Sequence, residues 1–343
     1  MKKILLTIFI ICILFGYVSY KSLKSQGWTF FTPLITEEQT VKEEMTIATS
    51  TPLLFVGDVM LGRFVETLAT RKGDDLFAFA STTDYLKAHI TIANLEGPIP
   101  NKHTLTPIDG FSFSFPSSTP SILKRGGITA VSLANNHMFD KGRTGYEETK
   151  IALDKEGVEH FGGYSPTTND YFETKLGTTT VIVYGITMIA TGWNEAQALQ
   201  VTEKLRSAHP DAHLIAFLHW GDEYLTQNIY QRAFAHKLID RGMDTILGSH
   251  PHIVQGIEVY NGKPIFYSLG NFIFDQYWRD KVEDGYMVRM KSVNEYEIIP
   301  IYSETSVPSI ATGNIRDRVL SDIAQQSPED IRQNIVSGSI HTK

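Results

Sequence analysis

Two histidines separated by one proline form the clearest chemical pattern in the sequence. His250 and His252 follow the apolar run from Thr245 to Leu247, within the order Gly-Ser-His-Pro-His. Open α/β sheets bind their ligands just beyond the carboxyl ends of their strands. Pro251 predicts an extended conformation for His250, which would hold the two imidazoles at a set divergence. The pair suits metal binding, although two ordinary loop histidines would give the same pattern.

Four further apolar runs also end in polar residues that can bind a metal. Each run is short and continuous, which predicts a buried strand. Taken singly, such a carboxylate can cap a turn, an amide can serve turn chemistry, and a histidine can be a satisfied core residue. Five runs ending alike indicate one shared site. Its candidate members are Asp58, Glu96, Asn136 with His137, His219, and His250 with His252.

The donor types in this set indicate one kind of chemistry. Imidazoles, carboxylates and an amide oxygen form a mixed nitrogen and oxygen set, which suits Mn²⁺, Zn²⁺ or Fe better than Ca²⁺ or Mg²⁺. One or two such ions would activate water near neutral pH and stabilise displacement at phosphorus. The sequence therefore predicts metal-assisted hydrolysis.

Composition narrows the alternatives. The net charge is -7, and no run of Lys or Arg is present, which argues against nucleic acid as a partner. The only cysteine, Cys12, lies in the N-terminal apolar stretch, so the folded part has no disulfide or thiolate metal site. Ser249 and Ser268 lie outside any G-x-S-x-G elbow, which disfavours a serine hydrolase.

The N-terminus has the features of a secretory signal. Lys2 and Lys3 precede an apolar stretch from Ile4 to Val18, and no clear cleavage site follows. This favours an uncleaved signal anchor over residues 1–21 and a polar linker over 22–50, with cleavage as the alternative. The remainder would then lie outside the cytoplasmic membrane, held there by a single pass.

The pattern of elements predicts the fold class. Strands alternate with helices and are followed by strands with hairpin spacing, which is typical of a mixed α/β fold with two sheets over residues 51–305. The alternation from Phe111 to Phe115 predicts a half-buried strand. Residues 306–343 are expected to form a C-terminal tail with one helical patch that packs peripherally.

Six sequence blocks occur in one order along the chain: Gly57 to Arg63, Asn94 to Gly97, Ala134 to His137, His219 to Gly221, Gly248 to His252 and Tyr267 to Phe272. These blocks resemble the signature blocks of the CapA-type capsule or poly-γ-glutamate biosynthesis proteins. That family is related to the calcineurin-like metallophosphoesterases, so the resemblance implies a four-layer α/β fold of two packed mixed sheets flanked by helices.

The resemblance also implies roles for individual residues. Met60 stands where the phosphoesterases have a metal-binding histidine, and a thioether is a poor ligand for a hard ion. One metal position is therefore expected to be weak or empty. Asn271 and Asp275 are expected to support the site from behind. His137 would be the general acid or a transition-state contact, and Arg63 and Asn94 would be oxyanion contacts. The metal ligands would be Asp58, Glu96, Asn136, His219, His250 and His252.

Two functions fit these observations. The first is a membrane-anchored extracytoplasmic metallohydrolase that acts on a phosphoester or on a bond of a cell-surface polymer. The second is a non-catalytic subunit that binds or exports the polymer for a membrane-bound polymer synthase. The retained donors favour the first, whereas Met60, the anchor and the negative net charge favour the second.

Overall fold

The computed structural model describes residues 51–279 and 281–342. The predicted anchor over 1–21 and linker over 22–50 lie outside these residues. Within the described ranges, no helix combines the length and the apolar character needed to cross a membrane.

The first sheet is built around a parallel core. Its central strand β1 pairs in parallel with β2, and β3 and β4 continue in the same direction. On the other side of β1 the sheet continues with antiparallel strands, while β11 adds to the end of β1 and β15 to β13. The bounds are β1 (Leu53–Val59), β2 (Ile90–Leu95), β3 (Ala130–Ser132), β4 (Glu159–Phe161), β11 (Asn271–Ile273), β12 (Asp284–Ser292), β13 (Glu295–Glu304), β14 (Val307–Ile310) and β15 (Ser339–His341).

The second sheet has six strands in the order β5-β6-β7-β8-β10-β9. Four of them, β6, β7, β8 and β10, run parallel, and the edge strands β5 and β9 are antiparallel to their neighbours. The bounds are β5 (Tyr171–Leu176), β6 (Thr179–Thr187), β7 (His213–His219), β8 (Thr245–Ser249), β9 (Ile257–Tyr260) and β10 (Lys263–Phe266).

Among the described residues, the first six helices in chain order cover the outer faces of the sheets, and the last two contribute side chains to the interior between the sheets. In chain order the helices are α1 (Arg63–Lys72), α2 (Thr83–Lys87), α3 (Thr119–Gly126), α4 (Gly142–Glu156), α5 (Glu195–Ala208), α6 (Ile229–Asp240), α7 (Gly313–Gln325) and α8 (Arg332–Ser337), with single 3-10 turns at Phe77–Phe79 and Glu329–Ile331.

Alternating side chains on the strands divide the interior into three apolar clusters. On β1, Leu54 and Val56 pack with α1 to α4, whereas Leu53 and Phe55 face the second sheet. On the second sheet, the side chains that face away from the first sheet pack against α5 and α6. This alternation with a period of two residues creates four layers, helix, sheet, sheet and helix. The predicted mixed α/β fold with two packed sheets is confirmed.

Two local expectations differ from the structure. Residues 111–115 form an irregular loop in which Phe113 and Phe115 are buried and Phe111 is exposed, so the predicted strand is wrong. The loop buries alternate rings through contacts of its own, which gives a strand-like pattern without a ladder. Residues 306–342 provide β14, β15, α7 and α8, so they contain more than one helical patch. Side chains of α7 also enter the cluster between the sheets.

The segment from Tyr267 to Gly270 passes between the ends of β1 and β8 and joins the two sheets at this point. Asp58 N donates to Gly270 O at 3.2 Å, and Leu269 N donates to the carbonyl of Gly248 at 3.0 Å. A Cβ on Gly57 would lie 1.8 Å from Gly270 O, and one on Gly248 would lie 2.0 Å from Tyr267 O. Glycine is therefore required at both strand ends for this close approach.

Candidate metal centre

The candidate ligands meet where parallel strands of both sheets end. In the first sheet, Asp58 of β1 lies opposite Asn94 of β2, and Glu96 follows directly after β2. In the second sheet, His219 closes β7 opposite Ser249, the last residue of β8. Because both sheets present their carboxyl ends to the same place, residues far apart in sequence form one site.

The structure groups these side chains into two overlapping clusters. Ligand atoms of Glu96, His250 and His252 lie within 4.8 Å of one another, and so do those of Asp58, Glu96 and His219. All five side chains are buried, and Glu96 belongs to both clusters. A shared carboxylate between two groups of donors is the arrangement in which a bridging ligand would stand.

Asn136 and His137 approach this pair of clusters from the end of β3. The side-chain oxygen of Asn136 lies 2.7 Å from Nε2 of His219. Nε2 of His137 lies 3.9 Å from Oε1 of Glu96. Both residues are less buried than the others, with His137 keeping 13% of its side chain exposed. They therefore lie on the open side of the site.

The backbone at the His-Pro-His sequence is strained. His250 has φ 93° and His252 has φ 59°, so the extended conformation expected of His250 is wrong. A proline disfavours the right-handed helical region for the preceding residue, but it does not exclude positive φ. The turn at His250 directs its backbone N–H towards Oδ2 of Asp58, at 3.2 Å. Such costly conformations are typical of functional sites.

Two buried atoms in the centre have no hydrogen-bond partner among the described residues. They are Oε1 of Glu96 and Nδ1 of His250. Burial, and secondly the neighbouring Asp58 carboxylate, raise the pKa of Glu96 well above its usual range. A buried acceptor without a donor is costly, and a bound cation would satisfy both atoms.

Two of the buried histidines, His219 and His250, are held in their neutral form. Burial lowers the pKa of His250 to about 3, with the neighbouring His252 adding to the effect. Burial also lowers the pKa of His219 well below its usual range. A neutral imidazole keeps a lone pair, and the lone pair is what a metal ligand must offer. The donor set is thus suited to a divalent ion.

His137 is oriented from behind by a carboxylate and an aromatic ring. Its Nδ1 lies 2.9 Å from Oδ2 of Asp140, and the same oxygen accepts from Phe113 N at 2.6 Å. The ring of Phe113 stacks on the imidazole with centroids 4.0 Å apart. These contacts leave Nε2 directed towards Glu96.

Arg63 and Asn94, the predicted oxyanion contacts, are both engaged by protein groups. Arg63 is only 2% exposed and forms a two-pronged ion pair with Asp275, and its guanidinium lies over the Phe113 ring. Asn94 is 1% exposed and points its amide nitrogen at Asp58. Both residues therefore line the site from within its walls.

The supporting residues expected behind the site make defined contacts. The side-chain oxygen of Asn271 lies 2.9 Å from Nδ1 of His252. Asp275 holds Arg63 and also accepts from Phe64 N at 2.9 Å. The sulfur of Met60 accepts from Gly62 N at 3.2 Å and is fully buried.

Several residues of the site were not singled out from the sequence. Asn135 donates to both Asn94 and the carbonyl of Leu95, and Ser249 lies 3.1 Å from Nδ1 of His219. Asn135 and Ser249 stand inside sequence blocks already noted, so their position beside a candidate ligand could have indicated them. Nothing in the sequence indicates Phe113 or Asp140 as partners of His137.

Comparison with known proteins identifies the family to which this sequence belongs. The family described as "Bacterial capsule synthesis protein PGA_cap" matches residues 52–276. The "PGA biosynthesis protein CapA" of Bacillus subtilis is 30% identical over 280 residues, which cover 74% of this chain and 72% of that protein. The "Capsule biosynthesis protein CapA" of Bacillus anthracis is 28% identical over 306 residues, covering 80% of this chain and 73% of that protein.

Two solved structures share a more distant likeness. A hypothetical protein from Thermus thermophilus superposes with a TM-score of 0.47 and 14% identity, covering 75% of this chain and 96% of that one. A phosphatase from Mycoplasma pneumoniae superposes with a TM-score of 0.42 and 13% identity, covering 74% and 87%. At these values the likeness adds nothing to the fold already described. The sequence match over most of the chain shows that this protein belongs to the PGA_cap family of bacterial capsule synthesis proteins.

Proposed function

We propose that this protein is a divalent-metal-dependent hydrolase that acts on a phosphoester, or on a bond of a surface polymer, during capsule or poly-γ-glutamate synthesis. One observation carries the proposal. Oε1 of Glu96 and Nδ1 of His250 are buried without a partner among the described residues, and they lie among clustered carboxylates and imidazoles. One or two bound Mn²⁺, Zn²⁺ or Fe ions would satisfy these atoms.

The residues available to hold one or two ions are Asp58, Glu96, Asn136, His219, His250 and His252. When bound, a divalent ion supplies activated water near neutral pH and stabilises negative charge on the reacting group. The walls of the site exclude bulk water from these donors, because the five clustered side chains are buried. Low solvent content strengthens every electrostatic interaction made there.

His137 is the group best placed to hold or donate a proton. Its Nδ1 lies 2.9 Å from Oδ2 of Asp140, which favours a proton on Nδ1 and leaves Nε2 directed towards Glu96. Arg63, through its contact with the Phe113 ring, holds the loop that stacks on this imidazole. In this proposal Arg63 positions the loop that carries Phe113. Asn94 holds the carboxylate of Asp58 through its amide nitrogen.

We further propose that the centre works outside the cytoplasmic membrane, tethered by the N-terminal residues 1–21. The support is the positively charged start and apolar stretch of the sequence. The partners proposed are the surface polymer and subunits of its synthase, since the curated relatives are named for capsule or PGA biosynthesis.

The experiment is hydrolysis by the full chain loaded with Mn²⁺, on a panel of phosphate mono- and diesters and on poly-γ-glutamate. The expected result is metal-dependent cleavage of at least one substrate, lowered roughly 100-fold or more in His137→Ala. His341→Ala, exposed on β15, serves as the control and should keep full activity. Metal binding without cleavage of any substrate would favour the non-catalytic polymer-binding subunit, for which Met60 is the sequence observation.

A further inference from the structure

One amide nitrogen lies in the middle of one of the two donor clusters. Nδ2 of Asn94 is 2.7 Å from Oδ1 of Asp58, 3.3 Å from Oε2 of Glu96 and 3.2 Å from Nδ1 of His219. These are the three members of the second cluster, and each presents an acceptor atom to the same nitrogen. The amide hydrogens thus lie where a cation between these donors would stand.

The orientation of the Asn94 amide is fixed by a second asparagine. Nδ2 of Asn135 donates to the side-chain oxygen of Asn94 at 3.1 Å and to the carbonyl of Leu95 at 2.8 Å. Because an amide nitrogen can only donate, the atom of Asn94 that receives this bond must be its oxygen. The nitrogen of Asn94 must therefore face the carboxylates.

The other oxygen of Asp58 is also satisfied by protein groups. Its Oδ2 accepts from the backbone N–H of His250 at 3.2 Å and lies 3.3 Å from Nδ1 of His252. At Met60, the thioether sulfur accepts from Gly62 N and offers no imidazole to an ion beside Asp58. Both carboxylate oxygens of Asp58 thus already accept hydrogen bonds from protein groups. An ion beside Asp58 would also lack the imidazole ligand that Met60 replaces.

The other cluster has the opposite character. Among the described residues, the two unpartnered buried atoms of the centre are Oε1 of Glu96 and Nδ1 of His250. Oε1 of Glu96 faces this cluster, 3.6 Å from Nε2 of His252, and His250 belongs to it. The charges agree with this difference, because the two clusters together contain two carboxylates, Asp58 and Glu96. A single divalent ion balances that charge, whereas a second would leave excess positive charge in a buried site, which is costly.

We propose that this chain holds one divalent ion, at Glu96, His250 and His252, and that the Asn94 amide takes the place of a second ion between Asp58, Glu96 and His219. This inference rests on the proposed function only in that it requires metal binding. Asp58 then acts by fixing the His250 backbone and the Asn94 amide. Asn94 serves as a built-in neutral substitute for a cation.

The test is metal stoichiometry of the full chain, measured by titration with MnCl₂ and by the Mn²⁺ electron paramagnetic resonance spectrum. We expect the wild type to bind one equivalent with the spectrum of an isolated ion, even in excess Mn²⁺. Asn94→Asp replaces the donor by a carboxylate of the same shape, so it should bind a second equivalent and show spin coupling between two ions about 4 Å apart. Asn169→Asp, at an exposed position, is the matched control and should stay at one.

The possible outcomes separate this inference from the proposed function. Two tightly bound, coupled ions in the wild type would overturn the inference and leave the metallohydrolase proposal standing. No bound ion in the wild type would overturn both. If both Asn94→Asp and the double variant Asn94→Asp/Met60→His bind only one ion, the Asn94 amide does not take the place of a second ion, and the inference is overturned. If these variants do not fold, the wild-type stoichiometry and spectrum decide.

Discussion

Burial and metal binding favour different protonation states of the Glu96 side chain. It is fully buried beside Asp58, and burial raises its pKa well above the usual range, so the metal-free protein favours a neutral carboxyl group. Metal binding requires the carboxylate instead. The same residue is therefore expected to destabilise the metal-free fold and to stabilise the metal-bound one.

Glu96→Gln should stabilise the metal-free protein and destabilise the metal-bound protein. A raised pKa in the folded state means that stability is full below the unfolded pKa and is lost as the pH rises towards the folded value. At pH 8 with a chelator, Gln removes this loss and should raise the free energy of unfolding. With Mn²⁺ the variant should be less stable than the wild type. Urea unfolding under both conditions is the measurement, and an equal loss in both would contradict the account.

The sequence located the site residues better than it described their contacts. The position of Asp58, Glu96, His219 and His250 at strand ends follows from residue order and strand polarity alone, and the structure brings these residues together. The direction of the Asn94 amide could not be predicted, because it depends on Asn135, 41 residues later in the chain. Positive φ at His250 depends likewise on an acceptor from another strand.

At the scale of elements, a buried ion pair joins the start of α1 to the segment after β11. The side chains of Arg63 and Asp275 are 2% and 0% exposed, and the pair is two-pronged. Phe113 and Phe274 pack around the guanidinium, at 4.9 Å and 5.5 Å from ring centroid to Cζ. This pair fixes the loop that stacks on His137.

Asp275→Ala should be strongly destabilising, because it leaves the Arg63 guanidinium buried without its carboxylate. Removal of one partner from a buried pair costs about 3–5 kcal/mol. The comparison is Asp75→Ala, which breaks the pair with Arg125 at 46% and 47% exposure and should cost under about 1 kcal/mol. Similar losses in chemical denaturation of the two variants would refute the structural role of the Arg63 pair.

The C-terminal segment behaves as part of the core in the structure. Ile323 on α7 is fully buried in the cluster between the sheets, whereas Ile315 on the same helix is 39% exposed. Ile323→Ala should therefore cost about 2–5 kcal/mol through lost burial and a cavity. Ile315→Ala should change stability by under about 0.5 kcal/mol. Thermal unfolding tests this, and a harmless Ile323→Ala would make the segment peripheral after all.

The sequence predicted strands correctly where an apolar run was continuous, and wrongly where the prediction depended on a short alternation of polar and apolar residues. Buried strands such as β1, β7 and β8 are continuous apolar runs, which predicts them directly. Residues 111–115 alternate like a strand, yet their backbone has no ladder partner among the described residues, and Asp140 instead binds Phe113 N. A five-residue alternation cannot distinguish these cases, because the decisive contact is 27 residues away.

For the whole molecule, His213 should contribute to loss of stability in acid. It is 9% exposed at the start of β7, with Nε2 2.9 Å from the Thr245 hydroxyl, and burial lowers its pKa from 6.5 to about 4. As the pH falls from 6.5 to 4, the unfolded chain takes up a proton that the folded chain excludes. Stability is therefore present above this window and lost within it, by up to about 3 kcal/mol.

His213→Gln should flatten that part of the pH dependence. The measurement is the free energy of unfolding at several pH values from neutral to acid, for both proteins with a chelator so that the metal centre contributes equally. Gln keeps a polar group near Thr245 and does not titrate. The same slope in both proteins would show that His213 has no part in acid sensitivity.

For the whole molecule, the meeting point of the two sheets is proposed as a metal centre, and elemental analysis tests this assignment most directly. The full chain is incubated with Mn²⁺ or Zn²⁺, freed of excess ion, and compared with His250→Ala and with the control His341→Ala. We predict bound transition metal in the wild type and the control, and its loss in His250→Ala. Absence of bound metal in the wild type would contradict the account and leave a non-catalytic polymer-binding subunit as the function to pursue.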